Sequence, residues 1–184
     1  MKSFCKRCSK GLISPDPYIY DKENEILQEF FDVKCVIEKC KPLAALDMSK
    51  KWITKKRKQN FNFYYINQVI NEANKNKIVA VQKSNVHKYL NTVFCNRRNL
   101  NKAYKLLKII HEPNLFGLTN KEYHYLIGKL LGYSKQNIIY FLQKNNFGPI
   151  SKEEIENALI KLKHIQVNRN DPTISIFDPI PLLV

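Results

Sequence analysis

The sequence predicts a mainly α fold with a small, zinc-ribbon-like, cysteine-rich module at its N-terminal end, and three observations carry that prediction. Only 5 of the 184 residues are glycine, too few for the positive-φ turns of an all-β sandwich. Beyond about residue 60, apolar residues recur at helical spacing through most of the chain. Four of the five cysteines precede residue 41. An apolar fraction of 44%, with 10 Phe, 10 Tyr and 1 Trp, supplies a packed core and excludes a disordered chain.

Composition divides the chain into four parts: a cysteine module over 1–48, a basic connection over 49–60, a helical body with one or two short strands over 61–165, and an extended arm over 166–184. Within the first part, Pro15, Pro17 and Pro42 bracket a helix in "DKENEILQEFF" and an apolar, strand-like run in "FFDVKCVIE". The connection "SKKWITKKRKQN" places Lys55, Lys56, Arg57 and Lys58 close to Trp52. It reads as a solvated link, as a basic patch with an aromatic available for stacking, or as an import signal.

In the body, Phe63, Ile66, Ile70 and Ala73 predict a helix over 61–76, and the β-branched "KIVAVQ" predicts a short strand over 77–82. Ser84 or Asn85 is positioned to cap a further helix through "VHKYLNTVF", with Cys95 on its core face. Leu100, Ala103, Leu106, Leu107 and Ile110 mark one face of the next helix, which ends before Pro113. Ser151 with Glu154 forms a capping-box pattern that opens a helix over 151–165. The arm has three prolines and no helical period, and its apolar end "IPLLV" calls for a surface to pack on.

The formal charge is +15, from 31 Lys+Arg against 16 Asp+Glu. Such a balance favours a polyanionic partner and raises association rates with phosphate backbones. Yet only 5 of the 31 are arginine, and Lys, Asn and Ile together exceed a third of the chain. All three have A/T-rich codons, so an A/T-rich genome, as in many viruses, plasmids or protists, enriches them regardless of function. No stretch approaches the roughly 20 apolar residues that span a bilayer, and no apolar run follows the N-terminal charges as a signal peptide requires. An intracellular protein with reduced cysteines and no membrane partner is the expectation.

Cys5-x2-Cys8 and Cys35-x4-Cys40 are two short-spaced thiol pairs. Four thiolates complete a tetrahedral zinc site with no open position, so such a site is structural. Lys6, Arg7, Lys34, Lys39 and Lys41 flank it and favour ionised thiols. The alternative is that these are ordinary buried free cysteines.

For catalysis the residues offer little. His87, His111, His124 and His164 are scattered, and there is neither a Gly-rich phosphate loop nor a serine elbow. Pro15-Asp16 followed by Asp32-Val33-Lys34 resembles the PD-(D/E)xK nuclease motif. That resemblance implies Asp16 and Asp32 on a Mg²⁺ ion, with Lys34 activating water. Asp32 and Lys34 flank Cys35, so the zinc and nuclease readings compete for one segment.

The stretch "HYLIGKLLGYSKQNIIYFL" (124–142) has two amphipathic halves around Gly132-Tyr133-Ser134. Gly128 is the small residue at a close crossing, Gly132 makes the turn, Ser134 caps the second helix, and Ile138 and Phe141 face inward. This spacing resembles the helix-turn-helix superfamily over about 20 residues. The resemblance implies that Lys135, Gln136, Asn137, Tyr140 and Gln143 face a duplex, while Lys144 meets phosphate. The competing reading is a helical hairpin that only packs on its neighbours. Function therefore divides between a basic, duplex-favouring nucleic-acid-binding protein serving transcription, replication or packaging, and an adaptor docking a protein through 174–184 and the Ile139/Tyr140 face. The nuclease stands third.

Overall fold

Strand β3 (Thr92–Asn96) lies at the middle of a four-stranded sheet and has apolar residues on both of its faces. The computed structural model describes residues 32–48, 50–58, 63–84 and 91–183. The strand order is β1-β3-β2-β4, antiparallel throughout, with β1 at Leu43–Leu46, β2 at Ile78–Lys83 and β4 at Ile174–Phe177. Pleating sends alternate residues to opposite sides. Leu43, Val79, Val81, Val93 and Cys95 join one core, while Ala44, Leu46, Ile78, Ala80 and Phe94 join the other.

Each face is covered by helices, giving three layers. On the first side lie α4 (Leu100–His111), α5 (Asn120–Leu130), α6 (Lys135–Lys144) and α7 (Lys152–His164). On the second lie α1 (residues 32–37) and α3 (Tyr64–Lys75), with Ile53 of α2 (Lys50–Lys58) packed beside them. Helices predominate, as composition and periodicity predict. Helix α4 is buried nearly all round, since it is wedged between the sheet and α5. The capping box of Ser151 and Glu154 forms as the sequence pattern requires.

Two of the strands, β2 and β3, fall within 61–165, where one or two are expected; among the described residues β1 and β4 add one from each flanking part. The predicted helix through 92–94 is instead the first half of β3, and Cys95 lies on that strand, fully buried. Burial pushes its thiol up to about 12. Residues 85–90 of that predicted helix lie outside the described residues. The physical reason is that a strand covered on both faces loses its polar alternation, and a short apolar run then carries no period by which to tell strand from helix. Conversely, the strand-like 32–37 is helix α1, burying Val33, Val36 and Ile37 together. Its C-terminus is closed by Lys39 at φ 62, with Lys39 N–H donating to Val36 O and Cys40 N–H to Cys35 O at 2.8 Å.

The arm ends on the chain itself. Ile180 and Leu183 are buried against α3 in the second core. Asn67 and Asn74, two turns apart on α3, each bind the arm's backbone twice. Asn67 Nδ2 donates to Leu183 O and its Oδ1 accepts from Leu183 N–H; Asn74 does the same with Ile180, all at 2.8–2.9 Å. The surface that the apolar end calls for is therefore α3. Among the described residues no helix is long and apolar enough to cross a membrane.

Candidate nucleic-acid interface

Helix α5 begins at Thr119, whose hydroxyl accepts from Glu122 N–H at 3.2 Å while Glu122 Oε2 accepts from Thr119 N–H at 2.8 Å. Glu122 is buried and also receives Lys161 of α7 at 2.8 Å, which ties the hairpin to the helix behind it. The helix closes on Gly132 at φ 87, with Gly132 N–H bonded to Lys129 O and Tyr133 N–H to Gly128 O. A Cβ at Gly132 would lie 2.4 Å from Pro42 Cδ, so the turn tolerates glycine alone on two counts. Gly128 likewise lies directly under Ile138, a Cβ there falling 2.8 Å from Ile138 Cγ1. These are the close crossing and the turn that the residue pattern anticipates.

Ser134 starts α6 by accepting from Asn137 N–H at 3.2 Å, and the helix ends at Asn146 with φ 60. Ile138 and Leu142 are buried. Phe141, expected to face inward, is 38% exposed and sits beside His124 and Phe147 at the hairpin's edge. The inward stripe runs 138–142, four residues apart, so Leu142 takes the place assigned to Phe141. His124 meets Phe147 with ring centroids 4.3 Å apart, and burial lowers its pKa.

Lys135, Gln136, Asn137, Tyr140, Gln143 and Lys144 are all exposed, and Ile139 is half-buried. No carboxylate occurs on α6. Of the other predicted contacts, Lys55, Arg57 and Lys58 on α2 are exposed, and Lys56 is half-buried. Their placement in the last turn of α2 suits the negative end of a helix. Helices α2 and α6 belong to opposite layers of the sheet, so the two basic stretches do not form one continuous face.

Of the nuclease pattern, only Asp32 and Lys34 lie among the described residues. Asp16 lies outside the described residues. Asp32 and Lys34 are two positions apart on helix α1, a rotation of about 200°, so Asp32 is turned inward while Lys34 is exposed. The strand that would hold both toward one metal is absent at 32–37.

Asp32 is committed elsewhere. Its Oδ1 is 2.6 Å from Lys41 Nζ, and its Oδ2 accepts from Tyr133 OH at 3.2 Å. Lys41 Nζ also lies 4.1 Å from the centroid of the Tyr133 ring. Burial alone would pull the Lys41 ammonium down, but Asp32 and Tyr133 outweigh it and hold its pKa above the usual range. Burial and then Asp32 push the Tyr133 phenol up. This trio pins α1 and the approach to β1 against the hairpin turn. Its members are up to 101 positions apart, and no local pattern announces it.

Of the zinc candidates, Cys5 and Cys8 lie outside the described residues. Cys35 is buried and Cys40 half-buried, the two joined across the closing turn of α1, with Cys40 Sγ 3.8 Å from Glu38 O. Among the described residues no group of three or more metal-ligating side chains occurs.

Comparison of the chain with protein-family models, with curated proteins and with solved structures finds no match.

Proposed function

We propose that the chain binds nucleic acid, duplex DNA in preference, through the outer face of α6, in an accessory role in transcription, replication or packaging of an A/T-rich genome. One observation carries this reading. Helix α6 is attached through Ile138 and Leu142, has no carboxylate, and leaves Lys135, Gln136, Asn137, Tyr140, Gln143 and Lys144 in solvent. Amides of Gln and Asn suit adenine edges, and lysines suit phosphates. The Gly128–Ile138 crossing that supports α6 is the kind a helix-turn-helix requires. The adaptor alternative loses its main anchor, because Ile180 and Leu183 are already buried on α3.

The test is fluorescence anisotropy of a labelled duplex about three helical turns long, titrated at several salt concentrations. Wild type is expected to bind with a steep salt slope, and the Lys135→Ala/Gln136→Ala/Asn137→Ala variant to lose affinity at every salt. Equal binding by the two proteins would leave the hairpin as packing alone. No binding near physiological salt would promote a protein-docking role for the Tyr140 face.

A structural zinc at Cys5, Cys8, Cys35 and Cys40 belongs to the same proposal. The turn that bonds Cys40 N–H to Cys35 O is what favours it, since it brings the backbones of the second cysteine pair together. Gently purified protein should carry about one zinc per chain, and a ratio near zero would end that part.

A further inference from the structure

Beyond the end of β3 the chain turns through a short 3-10 segment, Arg97–Asn99, directly into α4. That first turn and the closing turn of α1 flank an open cleft of about 400 Å³, lined by Lys39, Cys40, Lys41, Arg98, Asn99 and Lys102. No carboxylate lines it. Lys41 is neutralised from behind by Asp32. Lys39, Arg98 and Lys102 are exposed, and none of the three forms an ion pair with a described residue. Three positive charges with no ion-pair partner among the described residues thus share one concavity.

The helical run from Arg97 has no side-chain cap and no acidic residue in its first turn. Asn99, the residue best suited to cap α4, is buried and turns its amide to Pro42 O at 3.4 Å instead. Lys39 is fixed on the opposite wall by the two backbone bonds that close α1.

We propose that this cleft binds a phosphate group. Three cations match a dianion better than a carboxylate, and a guanidinium beside two ammonium groups supplies donors for several phosphate oxygens. The phosphate can belong to a small phosphorylated ligand or to a nucleic-acid backbone; the chemistry is shared. The inference does not depend on the α6 face, which has its own test.

The experiment is a ¹H–¹⁵N titration of the full chain with inorganic phosphate at constant ionic strength. Saturating shifts centred on the amides of Lys39, Arg98, Asn99 and Lys102 are expected. Affinity should fall at least about tenfold in Arg98→Ala/Lys102→Ala and stay unchanged in Lys75→Ala/Lys163→Ala, two exposed lysines away from the cleft lining. Shifts that fail to saturate, that spread evenly over exposed lysines, or that persist in Arg98→Ala/Lys102→Ala would overturn the proposal. A nucleoside monophosphate and an unlabelled duplex then identify the source. Displacement of phosphate by the first alone marks a small ligand. Displacement by the duplex, with a salt slope lowered by roughly 2 in Arg98→Ala/Lys102→Ala, marks a strand backbone.

Discussion

Two adjoining regions use the same residue type to opposite ends. At the junction of α1 with the hairpin turn, Lys41 is buried, bonded to Asp32 at 2.6 Å and seated over the Tyr133 ring. In the cleft beside it, Lys39, Arg98 and Lys102 remain in solvent with no ion-pair partner among the described residues. Elsewhere the first pattern repeats, with Lys83 on Glu112 at 2.5 Å and Lys161 on the buried Glu122. Among the described residues of this chain of charge +15, a cation is buried only where a carboxylate meets it. Cations left over are solvated, and where several converge they become a site rather than a scaffold.

The junction is most sensitive at Gly132. Gly132→Ala forces a side chain onto positive φ and into Pro42, at a cost of about 3 kcal/mol, read as a lower midpoint in urea denaturation. A loss under about 1 kcal/mol would mean that the turn shifts off Pro42 freely and that the junction is not rigid. Next in size is Asp32→Ala, which leaves Lys41 buried and unpaired. The pair is buried on the lysine side but about a quarter exposed at Asp32, so about 2–3 kcal/mol is expected, somewhat below a fully buried pair. Adding Lys41→Met should recover most of that loss by the same denaturation measurement. If the double variant were no better than the single one, Asp32 would be acting through Tyr133 and not through the ion pair. Smallest of all, Arg98→Ala and Lys102→Ala should each change stability by no more than about 0.5 kcal/mol. A large loss at either would place that side chain in the scaffold and erase the contrast.

Much of the fold was legible from local pattern. The helical faces of α3, α4 and α7, the capping box at Ser151, and the hairpin with Gly128, Gly132 and Ser134 follow from spacing and cap chemistry, which act within a few residues. Segments 32–37 and 92–94 depart from what local pattern predicts because each is a short apolar run. In α1 the run is helical and ends on Lys39; in β3 it is a strand buried on both faces. Phe141 was placed one position away from Leu142, since a 3.6 period permits either at the end of a short helix.

The candidate site divides in the same way. That Lys135, Gln136 and Asn137 would stand on an exposed helix face follows from amphipathicity around Ile138 and Leu142. Asp32, Lys41 and Tyr133 meet across 101 positions, and Lys39 faces Arg98 and Lys102 across some sixty more residues of chain. No periodicity reports such meetings, because they depend on how the layers stack.

By itself, then, the sequence determined the charge, the helical elements, their caps and the glycine-dependent hairpin, all set by interactions within about one turn of chain. Tertiary structure alone decided that two faces of one sheet would both be covered, turning β1 and β3 into buried strands. It also decided that the apolar arm would fold back onto Asn67 and Asn74, and which lysines would find a carboxylate. Burial and charge pairing are properties of position in three dimensions, and the chain assigns those positions only once its layers have packed.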